Sequence, residues 1–170
     1  MKRRQTSPIT LAIVAIMTSI TFVLTYLVRV PTPAKGYVHL GDAGVFFGAF
    51  AFGPWIGAVS GGLGTLLSDV AAGYPQWAAF SFVIHGLQGW LVGWLARRWP
   101  CTAGLLLAAV LGGAVVVGGY FGAGVLLSGL GAAIGELPLN IVQVVAGAAI
   151  GLPLYAAVRA AYPPIGRHRR

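Results

Sequence analysis

This sequence predicts an all-α integral membrane protein with six transmembrane helices and both termini cytoplasmic, on three observations. The chain of 170 residues is 58% hydrophobic and 8% charged, with mean hydropathy +0.85. A soluble domain carries about 25% charged residues, so too few are present to cover a water-facing surface, and the solvent must be lipid. Charges, prolines and glycines divide the apolar sequence into six runs, at about 9–28, 38–52, 55–70, 77–95, 101–127 and 132–158. With six spans, nine of the eleven basic residues fall on the side of the termini, and only Arg29 and Lys35 fall opposite. Positive charge marks the cytoplasmic side. The whole chain, 1–170, reads as one membrane domain.

Span 1 follows Lys2, Arg3 and Arg4 and resembles a signal peptide at first sight. Its 20 apolar residues exceed a secretory core of about 7–15, so it reads as an uncleaved first span. Ala12, Ala15 and Ser19 form a small-residue stripe on it. Such a stripe packs within a bundle or admits a partner helix.

Span 2 follows the break "RVPTPAKG" and opens with "YVHLGDAG". His39 and Asp42 lie three residues apart there, and Asp42 is one of only three acidic residues in the chain. Gly53-Pro54 ends the span. Span 3 contains "GAVSGGLG" and closes on Asp69. Both spans are short against the roughly 20 residues a bilayer requires. The turn "AAGYPQ" brings Tyr74 and Gln76 next to Trp77. Span 4 carries His85 and Gln88, again three apart, and stops at "ARRWP". Span 5 is rich in glycine, which allows close helix approach in lipid. Span 6 carries Glu136, Asn140 and Gln143 at i, i+4 and i+7, one helical face.

In this topology all three acids, Asp42, Asp69 and Glu136, fall towards the external side. Buried polar groups in lipid are costly unless paired or lining a cavity, and they mark function by default. An aromatic-lined concavity with a few fixed polar groups suits a small molecule. The bland reading of the same set is interhelical hydrogen bonding that holds the bundle together.

Several classes are excluded or disfavoured. The basic residues cluster at span ends and form no nucleic-acid footprint. The glycine runs contain no G-x-x-x-x-G-K-[ST] and sit inside apolar spans, so the chain hydrolyses no nucleotide itself. There is no H-E-x-x-H and no G-x-S-x-G. The lone Cys101 forms no intrachain disulfide or cysteine metal cluster. Histidines and carboxylates come from separate helices without a tight motif, so no metal ligand set is predicted. No catalytic residue and no cofactor are expected.

The ordered series in "VHLGDAGVFFGAFAFGPWIGAVSGGLGTLLSDVAAGYPQWAAFSFVIHGLQGWLVGWLARR", with the later "ELPLNIVQVVAGAAIGLPLY", resembles the substrate-binding S-components of energy-coupling factor (ECF) vitamin transporters. The resemblance covers nearly all of 9–158. It departs at His39, where asparagine is usual, and at His85, where lysine is common, so it leaves the substrate open. It implies a six-helix protein of the cell (plasma) membrane that binds a small water-soluble vitamin or precursor tightly from outside. Such a protein docks on a transmembrane coupling subunit and two ATPases and topples to release its ligand inward. Nickel and cobalt members carry a histidine after the initiator methionine, and here Lys2 stands there. The docking surface implied on span 1 is Ala12, Ala15 and Ser19. His39, Asp42, Asp69, Tyr74, Trp77, His85, Gln88, Glu136, Asn140 and Gln143 are the expected substrate-binding set. Hydroxymethylpyrimidine-like, pyridoxine-like or pantothenate-like ligands fit the family branch.

Two other readings remain. A self-sufficient secondary permease or channel would use Asp and His as a proton relay, though the internal repeats frequent in such proteins are not evident. A purely structural membrane protein is the third. A requirement for a co-expressed ATPase pair separates them.

Overall fold

The computed structural model describes residues 8–32 and 36–165. The basic residues Lys2, Arg3, Arg4, Lys35, Arg167, Arg169 and Arg170 lie outside them. In chain order the elements are α1 (Pro8–Leu27), β1 (Arg29–Pro31), β2 (Tyr37–His39), α2 (Gly41–Phe52), α3 (Pro54–Ala72), α4 (Pro75–Arg98), α5 (Thr102–Ser128) and α6 (Leu130–Ala161).

The turns follow from glycine and proline. Gly53, Gly73 and Gly129 have φ of 89°, 85° and 87°, a region closed to most side chains. Pro54 and Pro75 each open the next helix, where a missing N–H removes no helical bond. At the end of α3, Tyr74 N–H donates to the Asp69 carbonyl at 2.8 Å, which turns the chain beside the Asp69 side chain.

Four helices, α1, α4, α5 and α6, are long and apolar enough to cross a membrane. Helix α2 has 12 residues, a rise of about 18 Å against a hydrocarbon core of about 30 Å. Helix α3 has the length, at 19 residues, but its glycine, serine and threonine content lowers its hydropathy below that of the other four. Large apolar side chains such as Ile9, Ile16, Leu106, Val110, Leu126 and Val142 face outward, as a lipid-facing surface requires.

One boundary differs from the sequence reading. Residues 38 and 39, expected to begin a helical span, lie instead in the strand Tyr37–His39. The strand pairs antiparallel with β1, Arg29 opposite His39 and Pro31 opposite Tyr37. Extended backbone is favoured on the β1 side because the residue before each proline is pushed out of the helical region. The His39 ring accepts the Gly41 N–H at 3.1 Å, which satisfies a helix-start donor from outside the helix.

Helix α2 is the hub. It packs against α1, α3, α4 and α6, and ten of its twelve residues are buried. Phe46 and Phe50 form the core with Val92, Val116 and Tyr155. Close approach elsewhere depends on glycine. A Cβ on Gly89 would lie 2.2 Å from the Gly57 carbonyl oxygen, so α3 and α4 touch backbone to backbone. A Cβ on Gly147 would meet the Asp42 Cβ at 2.3 Å, so α6 lies directly against the acid of α2. On α1, Met17, Thr21 and Thr25 turn inward at four-residue spacing, and Ala12, Ala15 and Ser19 are exposed on its outer side.

Candidate functional site

The β1–β2 hairpin leads directly into the short helix α2 and lies beside residues of α3, α4, α5 and α6. A cavity of about 20 Å³ remains there, room for about one water molecule. His39, Asp69, Trp77, Glu136 and Asn140 from the expected set line it, together with Gly36, Tyr37, Ser81 and Tyr120.

The other expected residues form a layer beneath or beside the cavity. Asp42 is fully buried and held by two amides. Gln88 Nε2 donates to its Oδ1 at 2.6 Å, and Gln143 Nε2 to its Oδ2 at 2.8 Å. Each amide then presents its oxygen outward. Gln143 Oε1 accepts the His39 N–H at 3.0 Å, and Gln88 Oε1 lies 2.8 Å from His85 Nδ1. An amide oxygen only accepts, so Nδ1 of His85 carries the proton. Nε2 of the same ring faces the Tyr120 hydroxyl at 3.1 Å, and that hydroxyl lies 2.7 Å from Ser81 Oγ. His85 Nδ1 also lies 3.6 Å from Asp42. Asp42 therefore acts as a fixed anchor that orients the cavity wall through Gln88, His85 and Tyr120. Tyr74 stands further out, its ring 5.0 Å from that of Tyr37.

His39 and Tyr37 sit on the hairpin, outside the helices. Burial, and next the neighbouring His85, lower the His39 pKa to about 3, against a weaker opposing pull from Asp42. The neutral ring agrees with Nδ1 acting as acceptor for Gly41 N–H, which leaves Nε2–H as the ring's donor. Burial, and next the charge of Asp69, push the Tyr37 hydroxyl up, so it stays protonated. It donates to Asp69 Oδ1 at 2.5 Å. The second carboxylate oxygen, Oδ2, is buried with no hydrogen-bond partner among the described residues. Thr32 donates to Glu136 Oε1 and ties the hairpin to α6.

The aromatic wall is continuous. Trp77 and Tyr120 rings lie 5.9 Å apart, Tyr120 and His85 5.6 Å, and His85 and His39 5.4 Å. The site thus offers flat faces, one open carboxylate oxygen, a second carboxylate at Glu136 and the Asn140 amide. Among the described residues no group of three or more His, Cys, Asp or Glu is placed to hold a metal ion.

Three contributors were missed by the sequence reading: Tyr37, Ser81 and Tyr120. Tyr37 is in the quoted "YVHLGDAG" and could have been included for its place beside His39. Tyr120 is the only polar side chain within the glycine-rich "LGGAVVVGGYFGAG", which is its signal. Ser81 offers none. Arg29 lies over the Tyr26 ring at 4.5 Å, and its buried Nη1 has no hydrogen-bond partner among the described residues.

Comparison with known proteins places the chain among transporter subunits. The chain is 40% identical over 139 residues to the thiamine precursor transporter HmpT of Lactococcus lactis subsp. cremoris (strain MG1363), covering 81% of this chain and 80% of that protein. It is 45% identical over 130 residues to a Pyrococcus woesei protein described as an uncharacterized protein in gap 3' region, covering 76% of this chain and 87% of that one. Residues 5–160 match the family described as ECF-type riboflavin transporter, S component. Long apolar helices and a polar cavity lined by the hairpin, α3, α4, α5 and α6 are what a membrane-embedded binding subunit needs, and the chain belongs to this family of transporter S components.

Proposed function

We propose that this protein captures a small, single-ring heteroaromatic vitamin precursor and delivers it to an ATP-driven ECF importer. It would work as a six-span protein of the plasma membrane, with both termini cytoplasmic, as one domain. A coupling subunit and two ATPases would supply the energy, and the exposed stripe Ala12, Ala15 and Ser19 would be the docking face.

The observation that carries the ligand class is Asp69 Oδ2, a buried acceptor that accepts no hydrogen bond within 3.5 Å among the described residues, in a cavity walled by Trp77 and Tyr120. An unsatisfied buried acceptor is expensive, and a ring N–H or amino donor stacked between the aromatic faces would satisfy it. Asn140, Glu136 and His39 would read the ring's other edges, and Tyr37 would close over it. Asp42, His85, Gln88 and Gln143 would hold that wall in register. At about 20 Å³ the cavity is too small for a ring, so the ligand enters only when the hairpin lifts and the Tyr37–Asp69 and Thr32–Glu136 bonds part. The relative described as a thiamine precursor transporter favours a thiamine precursor, for which a hydroxymethylpyrimidine-like compound is the single-ring candidate. The family description favours riboflavin, whose three fused rings and side chain require a much larger opening of the same site.

The test is titration of purified protein with hydroxymethylpyrimidine and with riboflavin, beside native mass spectrometry for a retained ligand. Saturable pyrimidine binding that riboflavin does not displace supports the proposal. Tight riboflavin binding with none for the pyrimidine overturns the single-ring class.

A further inference from the structure

We propose that the basic end of the bundle holds a binding site for one anionic phospholipid, remote from the substrate cavity. Between the start of α5 and the end of α6 runs a groove of about 550 Å³. Its walls are Leu105, Leu106, Leu152, Pro153 and Ala156, an apolar surface suited to an acyl chain. At its rim stands Arg159, exposed on the last turn of α6, facing Thr102 across the groove. Arg159 Nη1 donates to the Tyr155 hydroxyl at 3.4 Å, a long contact that uses one of the five donors of the guanidinium.

Charge complementarity selects the occupant. The chain has three acidic side chains, Asp42, Asp69 and Glu136, and all three are at the hairpin end. Arg98 and Arg159 therefore have no acidic side chain at theirs. The first turn of α5 adds to the positive field, because its N-cap residue Cys101 makes no side-chain cap. A free phosphate would use the rim and leave the groove empty. A zwitterionic lipid would use the groove and offer its phosphate, but its own ammonium would cancel the net charge that the basic end attracts. An anionic phospholipid matches both, with its phosphate at Arg159 and one acyl chain along Leu105 and Leu152.

The test uses the purified full chain in detergent, with phosphatidylglycerol and phosphatidylcholine of identical acyl chains, read by native mass spectrometry. The parent should retain one phosphatidylglycerol over phosphatidylcholine by roughly fivefold, the effect of one basic residue at a membrane surface. Arg159→Gln should abolish the preference, and Arg98→Gln should leave it in place. Ala156→Trp, which fills the groove, should remove the retained lipid whatever its headgroup, and it serves as the second variant if Arg159→Gln does not fold. Equal retention of both lipids by the parent would overturn the proposal. So would a preference that survives Arg159→Gln, one lost equally in Arg98→Gln, or an unchanged lipid count in Ala156→Trp.

Discussion

Asp69 and Asp42 are both buried carboxylates, yet their partners differ. Asp42 has an amide on each oxygen, whereas Asp69 Oδ2 has no hydrogen-bond partner among the described residues. Asp69→Asn and Asn140→Ala should therefore weaken ligand binding by about 1–3 kcal/mol, a tenfold to hundredfold rise in Kd, with small changes in melting temperature. Asp42→Asn should do the reverse. It sets an amide NH₂ against the NH₂ of Gln88 or Gln143 and should lower stability by about 1–3 kcal/mol. Ligand titration beside thermal unfolding in detergent distinguishes the two. If Asn140→Ala binds as tightly as the parent while losing stability, the polar set is interhelical glue. His39 gives a pH signature. Its pKa of about 3 in the folded protein lies below the ordinary value near 6.5. Between those values the unfolded chain binds a proton that the folded one refuses, so stability is full above about pH 6.5 and declines as pH falls towards 3. The groups facing it are His85, Asp42 and Tyr37. His39→Gln should show a smaller drop in melting temperature between pH 7 and pH 5 than the parent.

Among the helices, α3 and α4 meet backbone to backbone at Gly57 and Gly89 and tolerate little there. Gly89→Ala places a methyl 2.2 Å from a backbone oxygen that has no rotamer to yield. The helices must part, and a loss of about 1–3 kcal/mol or more is expected, measured as a lower melting temperature. Gly118, with open space around it, should accept alanine without loss. Helix α1 presents the opposite case. Ala15 is exposed, so Ala15→Trp should leave ligand affinity intact and abolish uptake in cells carrying the coupling subunit and ATPases. Joint loss of affinity and uptake would instead place Ala15 in the packing of the bundle.

For the molecule as a whole, the two ends differ in chemistry. The hairpin end holds the three acids and the cavity. The other end holds Arg97, Arg98 and Arg159 together with exposed Trp55, Trp90, Trp94 and Trp99, an arrangement expected at a membrane–water interface. Reporter fusions at residue 170 and at Gly36 should report opposite sides of the membrane, with residue 170 cytoplasmic. The same side for both would end the six-span topology.

The six apolar runs and their breaks were readable from sequence because lipid imposes long apolar helices, and Gly53-Pro54, Gly73 and Gly129 punctuate them locally. The grouping of the acids at one end was readable too, since alternating spans fix which ends adjoin. A glycine-rich composition announced close packing in the same way. The hairpin was not readable, because Tyr37 to His39 continues an apolar pattern and becomes strand only through its pairing with Arg29 to Pro31. Nor could spacing separate Asp42, which is enclosed by amides from α4 and α6, from Asp69, which keeps one open oxygen. That distinction depends on which side chains three other helices bring to each carboxylate. A one-dimensional pattern records the polarity of each residue, and only the packed helices decide which polar atoms are left for a ligand.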